Sequence, residues 1–206
     1  MSEEDRRRWN ARYTERTPEF APSPDLLALA PLLQPQPAPD GSPPLALELA
    51  CGYGGNALWL AAQGYAVHAI DVSDVAIAAL QAELAKRRRQ NGAALTVTTT
   101  VTDLDQIDLP PQSYQLIAAI RFLDRHLIRA AIHALKPGGL LYWDTFTRAG
   151  VRFHPRMNLD YCLETGELRR LCTGLEILHY VEENGQGRAV CLGRSPGRTS
   201  PPPTRS

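Results

Sequence analysis

No apolar run in this chain approaches the roughly 20 residues that a membrane-spanning helix needs. Its first residues are charged and carry no apolar segment of the kind that opens a secretory signal peptide. A soluble, cytoplasmic protein is the expectation. Cysteine is scarce. Cys51, Cys162, Cys172 and Cys191 lie far apart, with no Cys-x-x-Cys pair and no histidine at metal-ligand spacing. They read as reduced thiols, and no metal is expected. Neither sign of charge is in excess, Lys+Arg 22 standing against Asp+Glu 22. That balance excludes a global basic field for nonspecific nucleic-acid binding. Two local basic runs remain, Arg6-Arg7-Arg8 and Lys86-Arg87-Arg88-Arg89, and each reads as a solvated helix face. There is no internal repeat.

What is present suffices for one domain with a sizeable core: 206 residues, 44% of them hydrophobic. Residues 1–17 are polar, with Trp9 and Tyr13 on one helical face, and read as a short amphipathic helix. Residues 18–44 are proline-rich. They hold one small apolar helix at 25–33, with Asp25 as its possible N-cap, and then a loop. From Leu45 the chain alternates. Strands are predicted at 45–49, 66–70, 95–101, 114–120 and 140–145, and helices at 56–63, 73–90 and 127–135. Such alternation specifies a mostly parallel sheet with helices on both faces. The end differs, because 175–183 and 188–192 flank a turn at 184–187 and read as an antiparallel hairpin. The fold expected is α/β and Rossmann-like, with seven strands. Residues 1–44 form a lid helix and linker, 45–194 the domain, and 195–206 a Pro-, Ser- and Arg-rich disordered tail.

Three signals carry chemistry. The first is Glu48-Leu-Ala-Cys-Gly-Tyr-Gly-Gly-Asn56, where a strand enters a turn. Gly52, Gly54 and Gly55 let backbone approach a ligand there, and the helix that follows aims free N–H groups at the same place. Gly52-x-Gly54-x-x-Ala57 also fits a dinucleotide fingerprint, which is weak evidence alone. The second is Asp71, about 20 residues on, at the end of the next strand. Its carboxylate suits two ribose hydroxyls, and it also suits a helix N-cap shared with Ser73. The third is Asp103-Leu104, after strand three. A carboxylate there accepts an adenine amine, or is an ordinary loop aspartate beside Asp105 and Asp108.

Together with Thr102-Asp103-Leu104 and Leu135-Lys-Pro-Gly-Gly-Leu140, these segments resemble the class I S-adenosylmethionine-dependent methyltransferases over residues 45–192. Trp9-Asn-Ala-Arg-Tyr13, Arg121-Phe-Leu123 and Tyr142-x-x-Thr145-Phe146 are similar to the tellurite-resistance-type, small-molecule subgroup. The resemblance implies S-adenosylmethionine as cofactor. Glu48 then faces its amino group through water, and Gly52 and Gly54 line its methionine part, with Ala50 and Asn56 in the same turn. Asp71 holds the ribose, Val72 lies against adenine, and Asp103 and Leu104 hold the base. Ile120 and Arg121 border the transferred methyl. Trp9, Arg12 and Tyr13 form a lid, and Arg125 and Phe146 belong to the acceptor side. Two positions depart from the family pattern. Ala50 replaces the first glycine of the turn, read as a mild change, and Gln115 stands where an aspartate commonly opens strand four.

Methyl transfer is an in-line displacement, for which the protein supplies mainly position and a dry pocket. A soft nucleophile, such as a thiol or a selenium or tellurium oxyanion, needs no strong base, and no clear base is visible. His126 is either a base or a surface histidine opening a helix. Arg121 and Arg125 either steer an anionic acceptor or pair with Asp124 or a nearby acid. His68, His133, His154 and His179 read as structural or exposed, and Cys51 as a packed small side chain. The acceptor expected is a small molecule, with no membrane partner and no nucleic acid. The alternatives are a methyltransferase acting on RNA or protein, a nicotinamide-dependent oxidoreductase, and a non-catalytic binding module on the same fold.

Overall fold

The structure is a computed structural model, described for residues 3–92, 95–153, 155, 157–182 and 185–197. His154, Asn184 of the expected turn and residues 198–206 of the expected tail lie outside the described residues. Seven strands form one sheet in the order β3-β2-β1-β4-β5-β7-β6. They are β1 (Leu45–Leu49), β2 (Ala66–Asp71), β3 (Val97–Val101), β4 (Tyr114–Ile120), β5 (Leu135–Phe146), β6 (Glu176–Glu182) and β7 (Arg188–Arg194). The pairs from β3 through β5 are parallel. β7 runs antiparallel to both β5 and β6 and is the reversed strand. The mostly parallel sheet with a closing hairpin is therefore present, as the alternation in the sequence predicts.

Side-chain alternation divides the core between the two faces. On one face Leu47, Ile117, Leu141 and Trp143 pack with Leu127 and Ile128 of α5 (Arg125–Ala134) and Leu168 of α6 (Glu167–Leu171). On the other, Ala46, Leu116, Ala118 and Tyr142 pack under Leu58 and Leu60 of α3 (Gly55–Ala62) and Leu80 of α4 (Asp74–Asn91). Leu26 of α2 (Pro24–Ala28) completes that second layer. Glu48 and Asp144 have the parity of Ala46 and Tyr142, so they point toward the α3 side. Both are buried carboxylates near the carboxyl ends of their strands, where open α/β sheets place ligands.

Several elements differ from expectation for local reasons. The helix expected at 25–33 is α2 followed by a 3-10 turn, Ala30–Leu32. Pro24 occupies its first turn, where a missing N–H costs nothing. Ser23 is the N-cap, not Asp25, and its side chain makes no cap bond. α5 starts two residues early because Asp124 accepts from both the His126 and Leu127 N–H groups at 2.8 Å. β5 starts at Leu135, which pairs with Tyr114 before the register shifts ahead of Leu116. β3 starts at Val97, two residues late. The amphipathic helix expected at 1–17 is α1 (Glu3–Thr14), and none of its residues is fully buried.

Candidate cofactor and acceptor site

The turn after β1 is built by backbone conformation. Ala50, Gly52 and Gly54 all have positive φ, at 53°, 55° and 73°. Glycine takes this region freely, but alanine crowds its own carbonyl there. The Ala50 departure is therefore not mild; the turn keeps its shape against the preference of that residue. A Cβ on Gly52 would lie 2.8 Å from the Tyr13 hydroxyl, and one on Gly55 would lie 2.4 Å from the Ala21 carbonyl oxygen. Both glycines admit the N-terminal segment as a cover.

Asp71 ties this turn to β2. One carboxylate oxygen accepts the Gly52 N–H and the other the Ser73 N–H, each at 2.8 Å. Ser73 caps α4 by accepting from Ala76 N–H. The two readings of Asp71 thus resolve into a third arrangement: it holds the turn and leaves the cap to Ser73. Each carboxylate oxygen has a second lone pair, so ribose hydroxyls are still accommodated. Burial raises the Asp71 carboxyl above its ordinary value, with the Ser73 and Gly52 amides opposing.

Glu48 is 1% exposed. Its Oε1 accepts from the Asn56 side chain at 2.8 Å, while its Oε2 is buried with no partner among the described residues. Burial pushes its carboxyl up to about 8, partly offset by the Asn56 amide and the Ala57 N–H. Asn56 also accepts the Ser23 N–H at 2.7 Å, linking the turn to the N-terminal segment. An unpartnered buried carboxylate oxygen is costly unless something meets it, and an ammonium group fits that need.

A cavity of about 290 Å³ lies between Val72, Thr102, Asp103 and Gln106 on the sheet side and Glu3 and Arg6 of α1. Val72 is 6% exposed. Asp103 caps a 3-10 turn through the Asp105 N–H at 2.9 Å. Leu104 is buried in the α5-side core, so only its backbone can serve a ligand. Above the turn, Trp9 stacks on Tyr13 with centroids 5.9 Å apart, Tyr13 meets Tyr53 edge-on, and the Arg12 guanidinium lies over Trp9. The Tyr53 hydroxyl donates to the Tyr13 carbonyl at 2.6 Å. Asn10 anchors the helix by donating to Asp74 at 2.7 Å and accepting from the Ser73 hydroxyl at 2.6 Å. Asn10 was not singled out from sequence and Arg6 was read as a solvated face, because a helix facing solvent and one facing a site have the same polar pattern.

On the acceptor side, Ile120 ends β4 in register with Asp144. Arg121 is exposed, with φ of +59°, and its N–H donates to the Asp144 carbonyl at 2.7 Å. A non-glycine residue in this region at a strand end marks a constrained position. Arg125 does not share the mouth as a steering charge. It pairs with Glu167 at 2.5 Å and donates to the Cys162 carbonyl, so its cation holds α5 to the segment before α6. His126 is exposed in the first turn of α5, where its backbone N–H donates to Asp124. Phe146 closes β5, accepting the Leu163 N–H through its carbonyl. Cys51 is buried, and burial pushes its thiol well above the usual range. Among the described residues no cluster of three or more His, Cys, Asp or Glu is grouped to hold a metal, and no helix is long and apolar enough to cross a membrane.

Residues 46–139 match the family model of a methyltransferase domain. Among solved structures the chain is similar to TehB from Haemophilus influenzae, at 20% identity and a TM-score of 0.65, over 91% of this chain and 67% of that one. It is similar to an S-adenosylmethionine-dependent methyltransferase from Mesorhizobium loti, at 17% identity and a TM-score of 0.63, over 85% and 100% of the two chains. A protein of echinomycin biosynthesis, where a disulfide bond is converted into a thioacetal group, aligns at 19% identity and a TM-score of 0.65, over 95% and 93%. No curated protein sequence matches the chain. Residues 46–139 thus carry a methyltransferase domain, and the strand order is that of the methyltransferase fold to which the chain is similar.

Proposed function

We propose that the chain transfers a methyl group from S-adenosylmethionine to a small-molecule acceptor. The observation that carries the small-molecule reading is the position of α1. It lies over the glycine turn, with the Tyr13 hydroxyl against Gly52, and covers a cavity of about 290 Å³. A neutral chain covered in this way is a poor surface for RNA.

The bound cofactor supplies an electrophilic methyl group on a sulfonium. The chain's own residues bind, orient and exclude water. Glu48 Oε2 meets the amino end, the backbone of Gly52 and Gly54 lines the methionine part, and Asp71 receives the ribose beside the amides it already holds. Val72 and Asp103 flank the base, with the Leu104 backbone. Trp9, Arg12 and Tyr13 cover the turn. Burial holds the Tyr13 phenol above its usual range, with Asp71 adding to the effect, so it is a hydrogen-bond donor at neutral pH. Ile120 and Arg121 border the acceptor, and Arg121 is suited to an anionic group on it.

The test is methyl transfer from tritiated S-adenosylmethionine to pooled small acceptors, bulk RNA and bulk protein. Label in the small-molecule fraction, reduced by Arg121→Ala for anionic acceptors only, is the expected result. Label confined to RNA or protein would replace the acceptor class.

A further inference from the structure

Five buried side-chain oxygens have no hydrogen-bond partner among the described residues. Folded interiors seldom leave such atoms idle. Glu48 Oε2 belongs to the cofactor site. Three others, Ser23 Oγ, Tyr142 OH and Asp144 Oδ1, form a separate group. Tyr142 and Asp144 are fully buried two residues apart on β5, and so share the α3 side of the sheet. The Ser23 hydroxyl lies beside the Tyr142 phenol and interacts with it, but not in the geometry of a full hydrogen bond.

Asp144 is fixed in place. Its Oδ2 is bonded to Arg188 Nη1. Arg188 is itself 3% exposed, and its other nitrogen bonds Asp25 at 2.5 Å and Gln186 at 2.9 Å. The guanidinium clamps one carboxylate oxygen and leaves the other directed elsewhere. Asp144 also neighbours Ile120 across the β4–β5 pair, one strand spacing of about 4.8 Å from the end of β4. A second cavity, of about 230 Å³, lies beside this group and meets it through Asp25, the Arg188 partner, and Val190. Its walls are mostly apolar, Ala28, Leu29, Val181 and Val190, with Asp25 and His179 at its polar side. Val190 lies directly opposite Asp144 on β7.

We propose that Asp144 Oδ1, with the Tyr142 and Ser23 hydroxyls, holds the methyl acceptor by an N–H or O–H group, so that the acceptor is an amine or hydroxyl compound with an apolar body. A carboxylate oxygen only accepts, which selects a donor. The two hydroxyls turn to complete the contact from either role, and the apolar walls take the rest of the molecule. Asp144 and Tyr142 are positioning residues. Arg188 acts through Asp144 by fixing its orientation. This rests on the methyltransferase reading above.

The experiment compares wild type, Tyr142→Phe and Asp144→Asn. Acceptors are benzylamine and p-cresol, which carry a donor, against thiophenol and dimethyl selenide, which carry no N–H or O–H. Each is assayed with tritiated S-adenosylmethionine, alongside titration of every variant with S-adenosylhomocysteine. The expected result is methylation of benzylamine or p-cresol. For that acceptor Tyr142→Phe raises KM about tenfold with kcat within about twofold, and Asp144→Asn lowers kcat/KM about a hundredfold, each conversion resting on the loss of a buried hydrogen bond. Affinity for S-adenosylhomocysteine is unchanged. Turnover of thiophenol or dimethyl selenide alone, turnover of none of the four, or variants matching wild type would each overturn the proposal while cofactor binding stands. Failure of wild type to bind S-adenosylhomocysteine would overturn the methyltransferase reading and this inference with it.

Discussion

At the scale of single residues, the turn after β1 gives a direct test of backbone strain. Ala50 sits at φ of +53°. That region costs a non-glycine L-residue about 1–2 kcal/mol, offset in part by glycine's looser unfolded chain. Ala50→Gly is therefore expected to stabilise the protein by about 0.5–1 kcal/mol, read as a higher urea midpoint at constant m-value. An unchanged midpoint would refute the strain. Glu48 gives a test by pH. Its folded carboxyl is raised to about 8, above the ordinary 4.5. Its contribution to stability is then fully present below about pH 4.5 and is lost as pH rises through about 8. An ammonium facing Glu48 favours the ionised form, so cofactor binding at pH 7 should release a proton. Calorimetry in two buffers of different ionisation enthalpy detects that proton, and Glu48→Gln should abolish it. Equal heats in both buffers would remove Glu48 from the site. The glycines, Glu48 and Asp71 were legible in the sequence because strand, turn and helix follow one another within a few residues. Arg188 was not, for its partners Asp144 and Asp25 are 44 and 163 positions away, and no local period links them.

At the scale of elements, α1 is the piece whose role the structure sharpens most. The spacing of Trp9 and Tyr13 announced a helix with one aromatic face, but not what that face covers. None of its residues is fully buried, and its attachment runs through Asn10, Tyr13 and Tyr53. Removal of residues 1–17 should thus lower turnover and cofactor affinity at least tenfold while costing less than about 1 kcal/mol of stability, since only half-buried surface is lost. Turnover equal to the full chain would end the lid proposal. The helix at 25–33 shows what sequence patterning misses. Asp25 reads as a cap by its position before an apolar run, yet Pro24 sets the helix start and frees Asp25 to reach Arg188. β5 was cut short for a related reason. Its Lys-Pro-Gly-Gly segment reads as a turn, while the register shift beside Tyr114 lets the strand absorb it.

For the whole molecule, the sheet order is what unites the site. Glu48, Asp71, Asp103, Ile120 and Asp144 stand at or just beyond the carboxyl ends of β1, β2, β3, β4 and β5. The neighbouring order of these strands brings them to one edge, although they span nearly a hundred positions in sequence. Alternation of strand and helix predicted that edge, since parallel strands with crossover helices align their carboxyl ends. The proposed acceptor side was less legible, because its walls come from α2, β6 and β7, joined only by tertiary packing. The most direct test of the account is a calorimetric titration of the full chain with S-adenosylmethionine, S-adenosylhomocysteine and NADH. The account predicts saturable binding of the first two and none of NADH. Binding of NADH alone, or of none of the three, would contradict it.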